Sequence, residues 1–349
     1  MGSYLSQNQT IISMKNLDEK YMRMCFTLAK KGKNNVRPNP MVGCVVLNED
    51  GKVVSKGYHK KYGENHAERD ALLKLKNNEA EGGTLYVNLE PCSHYGKTPP
   101  CVDLIIERKL KRVVIGMKDV NPKVDGITKL HDAGIETSFI LEKESKFLNR
   151  VFIKNMTQHL PYVVLKTATT MDGKIATKTG DSKWITSTES RKEVYKMRSE
   201  FDCIMTSSNT VLADNPKMEH KNKCILDKNS RIRKNAQILE QGNIYIATKE
   251  NTPLKDGELD LEAVLKQLYK KGIYTVFVEC GGTLAGALIK SNLADEIYQF
   301  IAPKILNDNN AKSCFNGDNI EKICNTKNFS IYDVKKVGSD VLIKSTRSL

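Results

Sequence analysis

The sequence predicts an α/β protein built as two domains, and three observations carry that expectation. Strand-like apolar runs alternate with helical patterns from Tyr21 to Leu141, the signature of strands covered by helices. The 349 residues exceed the usual span of one domain. A second strand–helix series opens at Tyr162, after a helical stretch that stops before Pro161.

The first residues, Met1 to Ser13, are polar and lack the basic-then-apolar layout of a secretory signal. Met1-Gly2-Ser3-Tyr4-Leu5-Ser6 fits the short and frequent myristoylation pattern, and Met14 offers a second start. Residues 1–16 are expected to form a disordered extension. Tyr21, Met24, Cys25 and Leu28 then recur at helical spacing over residues 17–31 and end near Gly32. Arg37-Pro38-Asn39-Pro40 is a rigid turn into the apolar run Met41 to Leu47; Asn48-Glu49-Asp50-Gly51 is a hairpin turn, and Lys52 to Tyr58 returns as a strand. A helix from His66 to about Lys76 is broken by Gly82-Gly83, and Thr84 to Leu89 is a strand that delivers Glu90-Pro91-Cys92. Helices over Cys101 to Lys109 and Asp125 to Ala133 alternate with strands over Arg112 to Met117 and Glu136 to Leu141. A connecting helix is expected from Glu142 to Gln158. Beyond it lie the strand Tyr162 to Thr167, a helix Thr188 to Arg198, strands at Cys203 to Thr206 and Thr275 to Glu279, and tail strands Glu296 to Ala302 and Val341 to Ser345.

One split motif carries chemistry: His66-Ala67-Glu68, then Pro91-Cys92 and Pro100-Cys101. One His and two Cys are three ligands for Zn²⁺ and leave a fourth tetrahedral position for water, as catalytic zinc sites do. Residues i and i+2 share no face in mid-helix, so His66 and Glu68 address one metal only at a helix entrance. Gly63-Glu64-Asn65 is a suitable turn into such an entrance. Glu68 is then a proton shuttle rather than a ligand, and a carboxylate beside water acidified to a pKa of about 7 suits hydrolytic loss of an amino group. The proline before each cysteine is expected to place each thiol near a helix N-terminus, which favours the thiolate. His-x-Glu followed by Pro-Cys is the zinc deaminase signature, with Cys92 and Cys101 set wider than its Cys-x-x-Cys.

In the second series, the strand Thr275 to Glu279 runs into Cys280-Gly281-Gly282-Thr283-Leu284-Ala285-Gly286 and a helix. That order suits a phosphate cradle, and it equally suits glycines that allow tight strand–helix packing. No apolar run approaches the ~20 residues of a membrane span. Nine scattered cysteines without framework spacing argue for a reducing compartment, hence a cytoplasmic protein. The formal charge of +14 is spread along the chain among acids, so it selects neither nucleic acid nor small anions.

Together these stretches resemble the bifunctional deaminase–reductase family of riboflavin biosynthesis, from about Asp18 to the C-terminus. The resemblance is carried by Asn39-Pro40-Met41-Val42-Gly43-Cys44-Val45, His66-Ala67-Glu68, Leu89-Glu90-Pro91-Cys92-Ser93-His94, Thr98-Pro99-Pro100-Cys101 and Asn121-Pro122. In the second half it rests on Met171-Asp172-Gly173, Trp184-Ile185-Thr186, Thr210-Val211-Leu212-Ala213-Asp214, Val278-Glu279, Gly282-Thr283-Leu284-Ala285-Gly286 and Ala302-Pro303-Lys304. It implies a cytidine-deaminase-like α/β/α layer domain over residues 17–142, a connecting helix over 143–160 and a dihydrofolate-reductase-like α/β domain over 161–349. It further implies two reactions: zinc-dependent deamination of 2,5-diamino-6-ribosylamino-4(3H)-pyrimidinone 5′-phosphate, then NADPH-dependent reduction of the ribosyl group to a ribityl chain. The implied partners are this phosphorylated pyrimidine and further copies of the chain in a dimer or tetramer, with neither nucleic acid nor membrane.

Residue by residue, the resemblance implies His66, Cys92 and Cys101 as zinc ligands and Glu68 as the catalytic residue. It implies Ala168, Trp184, Thr210, Asp214, Gly281, Gly282, Thr283, Leu284, Ala285, Gly286 and Ala287 as cofactor contacts. Asn39, Ser182, Arg198, Met218, Lys221 and Glu279 are the implied substrate contacts. Arg198 suits a phosphate as a planar, charged fork, and Glu279 at the end of a buried strand needs a partner, either a ligand or a nearby Lys. Trp184 belongs against the cofactor or in a core. The chain departs from the family pattern at Lys97 (usually Arg), at Val120 in Asp119-Val120-Asn121-Pro122 and at Ile127, where a second glycine is common. The stretch after Met218 is short and lacks an expected Arg, with Lys221 the nearest cation, and Lys228 replaces a small hydroxyl residue. A nucleic-acid base deaminase and a deaminase with a lapsed reductase half remain the alternative expectations.

Overall fold

The computed structural model describes residues 2–76 and 78–347, with side chains from Lys15 onward. The chain divides into two compact units, residues 1–158 and 159–349.

The first unit is a five-stranded sheet between helices. Its elements are α1 (Gly2–Ala29), β1 (Gly43–Leu47), β2 (Val53–Tyr58), α2 (Ala67–Leu72), β3 (Thr84–Val87), α3 (Cys101–Glu107), β4 (Arg112–Ile115), α4 (Gly126–Asp132), β5 (Glu136–Phe139), α5 (Glu142–Leu148) and α6 (Arg150–Gln158). The strand order is β2-β1-β3-β4-β5, with β1 antiparallel to both neighbours and β3, β4 and β5 parallel. Alternate side chains enter two separate cores, as a strand period of two requires. Val45, Leu47, Tyr86 and Val114 face Tyr21, Met22, Cys25 and Phe26 of α1. Cys44, Val46, Leu85, Val87, Val113 and Ile115 face α2, α3 and α4 through Ala71, Leu72, Val102, Ile105 and Leu130. This is the α/β/α layering that the resemblance implied. One polar cluster pins α1 to the sheet: both oxygens of Asp18 accept from Arg112, at 3.1 and 2.8 Å, and Oδ1 also accepts from the Tyr86 hydroxyl at 2.7 Å.

Two expectations change here. The backbone is helical from Gly2, in place of the disordered extension expected over residues 1–16, whose side chains before Lys15 lie outside the described residues. The connecting helix is two helices broken at Asn149, and it belongs to the first unit. Asn149 is buried, its Oδ1 accepting from the Met41 amide at 2.8 Å and its Nδ2 donating to the Met41 carbonyl at 3.1 Å. A side chain that satisfies both polar groups of a distant residue anchors the segment to the sheet.

The second unit is an open, mostly parallel sheet. Its elements are β6 (Tyr162–Thr170), β7 (Lys174–Ala176), α7 (Thr188–Arg198), β8 (Cys203–Ser207), α8 (Ser208–Asp214), β9 (Asn222–Leu226), β10 (Asn243–Ala247), the ribbon β11 (Leu254–Lys255) and β12 (Glu258–Leu259), α9 (Leu261–Lys270), β13 (Thr275–Glu279), α10 (Gly282–Lys290), β14 (Glu296–Ala302), β15 (Lys312–Ser313), β16 (Phe329–Val337) and β17 (Asp340–Arg347). The order β10-β9-β8-β13-β6-β14-β17-β16 is parallel as far as β14 and antiparallel beyond it. The central strand β13 is buried along its whole length, which suits Thr-Val-Phe-Val between two partners. α9 starts at Asp260, whose carboxylate accepts from the Glu262 and Ala263 amides, and it lays Val264, Leu265 and Leu268 into the core.

Candidate active sites

In the first unit the split motif closes on itself. His66 is the N-cap of α2, so Glu68 falls in its first turn and the pair meets at a helix entrance, as the spacing required. The close seat of α2 on β2 depends on Gly57: a Cβ there would lie 2.3 Å from the Ala67 carbonyl oxygen. Cys101 opens α3 behind Pro100. Cys92 differs from expectation, because it lies in irregular chain after β3 instead of at a helix start. It still faces a helix N-terminus, since its Sγ accepts from the Cys101 amide at 3.3 Å.

The ligand atoms of His66, Cys92 and Cys101 all lie within 4.8 Å of one another. His66 Nδ1 is 3.4 Å from Cys92 Sγ and 3.6 Å from Cys101 Sγ. Zinc bonds of about 2.1 Å to nitrogen and 2.3 Å to sulfur, at a tetrahedral angle, put such donors about 3.6 Å apart. The donor set therefore fits Zn²⁺. Among the described residues no fourth His, Cys or carboxylate joins the group, so a bound ion keeps an open position. The hydrogen bond from Cys101 and the adjoining His66 pull the Cys92 thiol down to about 4, while the same hydrogen bond and burial raise Cys101. Glu68 is 3% exposed, and burial, reinforced by the charge on Cys92, pushes its carboxyl up to about 7.

Asn39 sits beside this cluster through His59. The His59 Nδ1 is 3.0 Å from the Asn65 carbonyl and its Nε2 is 3.1 Å from Asn39 Nδ2. A carbonyl only accepts, so Nδ1 carries the proton, and burial keeps the ring neutral by lowering its pKa. Nε2 then accepts from Asn39, and Asn39 Oδ1 is left to receive a donor. Glu90 ties the Asp119–Ile127 loop to the same end of the sheet: its carboxylate accepts from the Asp119 amide at 3.1 Å and the Gly126 and Ile127 amides at 2.9 and 3.2 Å.

In the second unit Ala168, Thr210, Asp214, Glu279 and the glycine stretch lie toward the carboxyl edge of the parallel strands, where open α/β sheets hold ligands. Glu279 ends β13, with α10 directly beyond, and α8 follows β8. Glu279 and Arg198 pair with each other, Nε to Oε1 at 2.6 Å and Nη2 to Oε2 at 3.1 Å. Lys166, in register with Glu279 on β6, adds a 3.8 Å contact to Oε2. Burial pushes the Glu279 carboxyl up, but Lys166 and Arg198 outweigh it and hold the group below its ordinary value. Burial lowers Lys166, with Arg198 adding to the effect. Sequence reasoning missed Lys166, although a lysine within Val163-Val164-Leu165-Lys166 is the signal: a cation in an apolar strand needs a partner.

The glycine stretch divides between the two roles the sequence left open. A Cβ on Gly286 would lie 1.6 Å from the Asn316 carbonyl oxygen and one on Gly282 would lie 2.3 Å from that of Ser313, so these two serve close packing. Gly281 faces open space and caps α10 without a side chain, leaving the first-turn N–H groups for an anion. Leu284 and Ala285 are core residues, whereas Thr283 and Ala287 are exposed. Ala168 is half-buried on β6, and Thr210 and Asp214 lie on α8. Ser182 and Trp184 precede α7; Trp184 is 63% exposed rather than core, and the Arg191 guanidinium lies 4.4 Å from its ring centre.

Two expected substrate contacts do not join. Met218 is buried against Ile204, Val211 and Ile225, because its apolar side chain gains more from that core than from solvent. Lys221 precedes β9, four residues short of Ile225, which lies one residue past the level of Val278. That puts it roughly 13 Å toward the amino edge.

The arrangement is that of a zinc-binding deaminase fold followed by a nucleotide-dependent reductase fold. The family described as cytidine and deoxycytidylate deaminase zinc-binding region matches residues 15–117, and the RibD C-terminal domain matches residues 161–343. The chain belongs to the RibD family of riboflavin biosynthesis proteins. It is 37% identical to the Escherichia coli RibD protein over 93% of this chain and 98% of the other, and 40% identical to that of Aquifex aeolicus over 84% and 89%. Acinetobacter baumannii RibD superposes with a TM-score of 0.81 at 33% identity, covering 96% of this chain and 99% of its own. The Thermotoga maritima diaminohydroxyphosphoribosylaminopyrimidine deaminase/5-amino-6-(5-phosphoribosylamino)uracil reductase gives 0.81 at 34% identity, with 96% and 100% covered. The chain is a bifunctional riboflavin biosynthesis enzyme, a zinc-dependent deaminase and an NADPH-dependent reductase. Among the described residues no helix is long and apolar enough to cross a membrane.

Proposed function

We propose that residues 1–158 deaminate 2,5-diamino-6-ribosylamino-4(3H)-pyrimidinone 5′-phosphate and that residues 159–349 reduce the product's ribosyl group to ribityl. The observation that carries the first half is the three-donor cluster with Glu68 buried beside it. His66, Cys92 and Cys101 would hold the zinc, which supplies Lewis acidity that brings the pKa of water to about 7. Glu68 moves the protons. Its carboxylate takes one from the attacking water and returns it to the amino group, which leaves as ammonia while the ring carbon gains oxygen. Asn39, oriented by His59, accepts from the substrate through Oδ1.

The second half rests on Lys166, Glu279 and Arg198. NADPH, when bound, would supply a hydride to the ribose C1, so the chain positions reactants and handles one proton. As the C1–O ring bond opens, the ring oxygen takes a proton from Lys166, whose lowered pKa makes it a ready donor. Glu279 holds Lys166 and Arg198 in place, and the first turn of α10 with Trp184, Thr210 and Asp214 receives the nucleotide. Copies of the chain pair through β16, an edge strand with Ile331 and Val334 exposed on one face. All nine cysteines carry free thiols, which suits a cytoplasmic enzyme. The test is a two-stage assay on zinc-loaded protein: ammonia release without NADPH, then NADPH oxidation once it is added. Ammonia without subsequent oxidation would contradict the reductase half, and no ammonia would contradict the substrate assignment.

A further inference from the structure

We infer that Lys304 is a positioning residue of the reductase, holding the Trp184 loop so that the open face of the indole receives the nicotinamide nucleotide. This rests on the reading of the second unit as the reductase. Trp184 is the only tryptophan of the chain, and at 63% exposure no core holds its ring. A large aromatic left in water keeps a fixed place only where its backbone is tied. The tie is Lys304, whose Nζ donates to the Trp184 carbonyl at 2.6 Å. Lys304 lies two residues beyond Ala302, the end of β14, where that strand pairs with Thr170 at the end of β6. The loop is thereby pinned at the carboxyl edge of the sheet, beside the strand that carries Lys166.

Further contacts make the tie rigid. The Met171 amide donates to the Lys304 carbonyl at 2.8 Å, joining the segment after β14 to the turn after β6. In that turn the Asp172 carboxylate accepts from the Leu306 and Asn307 amides at 3.2 and 3.0 Å, so the chain is also held beyond Lys304. On the other side of the loop Arg191 of α7 donates to the Thr186 carbonyl at 2.9 Å and to Thr188 Oγ1 at 2.9 Å. Its guanidinium lies over the indole, 4.4 Å from the ring centre, so one face of the ring is covered by a cation and the other is open. Among the described residues no carboxylate pairs with Lys304 or Arg191, so no ion pair draws either of them off the loop. The Lys304 contact is exposed and adds little to folding; what it fixes is the place of the ring. An aromatic face set before the ligand arrives stacks on a heterocycle with little further ordering entropy.

The test uses full-length protein with its single tryptophan as the probe, beside Lys304→Met and Lys304→Arg. Acrylamide quenching of Trp184 fluorescence should be strong in free wild type and several-fold weaker with saturating NADP⁺, which absorbs well below the indole emission. In Lys304→Met the fluorescence anisotropy of the free protein should fall and the protection by NADP⁺ should shrink. Its KM for NADPH should rise on the order of tenfold, with kcat within about twofold and ammonia release unchanged. Lys304→Arg, which keeps a donor at that reach, should recover most of each. The unfolding temperature should hold in both variants, because Lys304 is exposed. Wild-type protection and KM in Lys304→Met would overturn the inference, as would a lower unfolding temperature as the only change. So would an indole that stays open to acrylamide while wild type oxidises NADPH, which leaves the reductase reading standing. If wild type oxidises no NADPH at all, that reading falls and takes this inference with it.

Discussion

Replacing Glu279 with Gln probes the reductase site where it is most constrained. The change keeps the shape and removes the charge that faces Arg198 at 2.6 Å and Lys166 at 3.8 Å. Removing one partner of a buried ion pair costs about 3–5 kcal/mol, since the other charge stays desolvated. Here Arg198 and Lys166 keep 21% and 17% of their side-chain exposure, which sets the expected cost at the lower end, about 3 kcal/mol. Lys166→Met should behave differently. Glu279 keeps both bonds to Arg198, and a cation that burial already disfavours is gone, so stability should change by less than about 1 kcal/mol. Both variants should lose NADPH oxidation while ammonia release continues. The pH dependence has a definite sign. The folded Glu279 carboxyl lies below its ordinary value of 4.5, so its contribution is complete above that value and is lost as pH falls through the folded one. Wild type should therefore lose its advantage over Glu279→Gln in acid. Urea unfolding of the second unit at neutral pH and near pH 3 measures all three quantities. A Glu279→Gln cost under about 1 kcal/mol at neutral pH, or a Lys166→Met cost equal to it, would refute this reasoning.

Gly286→Ala should destabilise the second unit and remove NADPH oxidation, because the added methyl meets the Asn316 carbonyl at 1.6 Å and rigid backbone must move; thermal unfolding with the two-stage assay reads both effects. Stripping zinc with a chelator, or substituting Cys92→Ser, should abolish ammonia release and leave reduction of supplied deaminated product intact, as separate assays of the two steps would show. Ile331→Asp combined with Val334→Asp should shift the protein to smaller assemblies in sedimentation, since both side chains are exposed on the edge strand β16, at 61% and 59%.

Much of the first site was legible because its chemistry is local. His66 and Glu68 had to meet at a helix entrance, and one His with two Cys had to leave a coordination position open. Cys92 does meet a helix N-terminus, but that of α3 and not one of its own: a proline before a residue marks a turn as readily as a helix start, and only tertiary pairing with the Cys101 amide decides. The second site was legible at the glycine stretch but not at its centre. Arg198 and Glu279 lie 81 residues apart, and nothing local says that they bind each other. Strand β9 escaped notice because Asn and Lys open it, and β16 because Asp and a Lys pair break its pattern, whereas β10 carried a short signal in Ile244-Tyr245-Ile246 that was passed over.

The central claim, two chemistries on one chain with Glu68 moving protons in the first alone, is tested most directly with Glu68→Gln. The zinc-loaded variant would be given the diaminopyrimidine phosphate in one assay and the deaminated phosphate with NADPH in another. Zinc should be retained, with no ammonia from the first substrate and NADPH oxidation at the wild-type rate on the second. Ammonia release near the wild-type rate, or loss of both activities with zinc and fold intact, would contradict it.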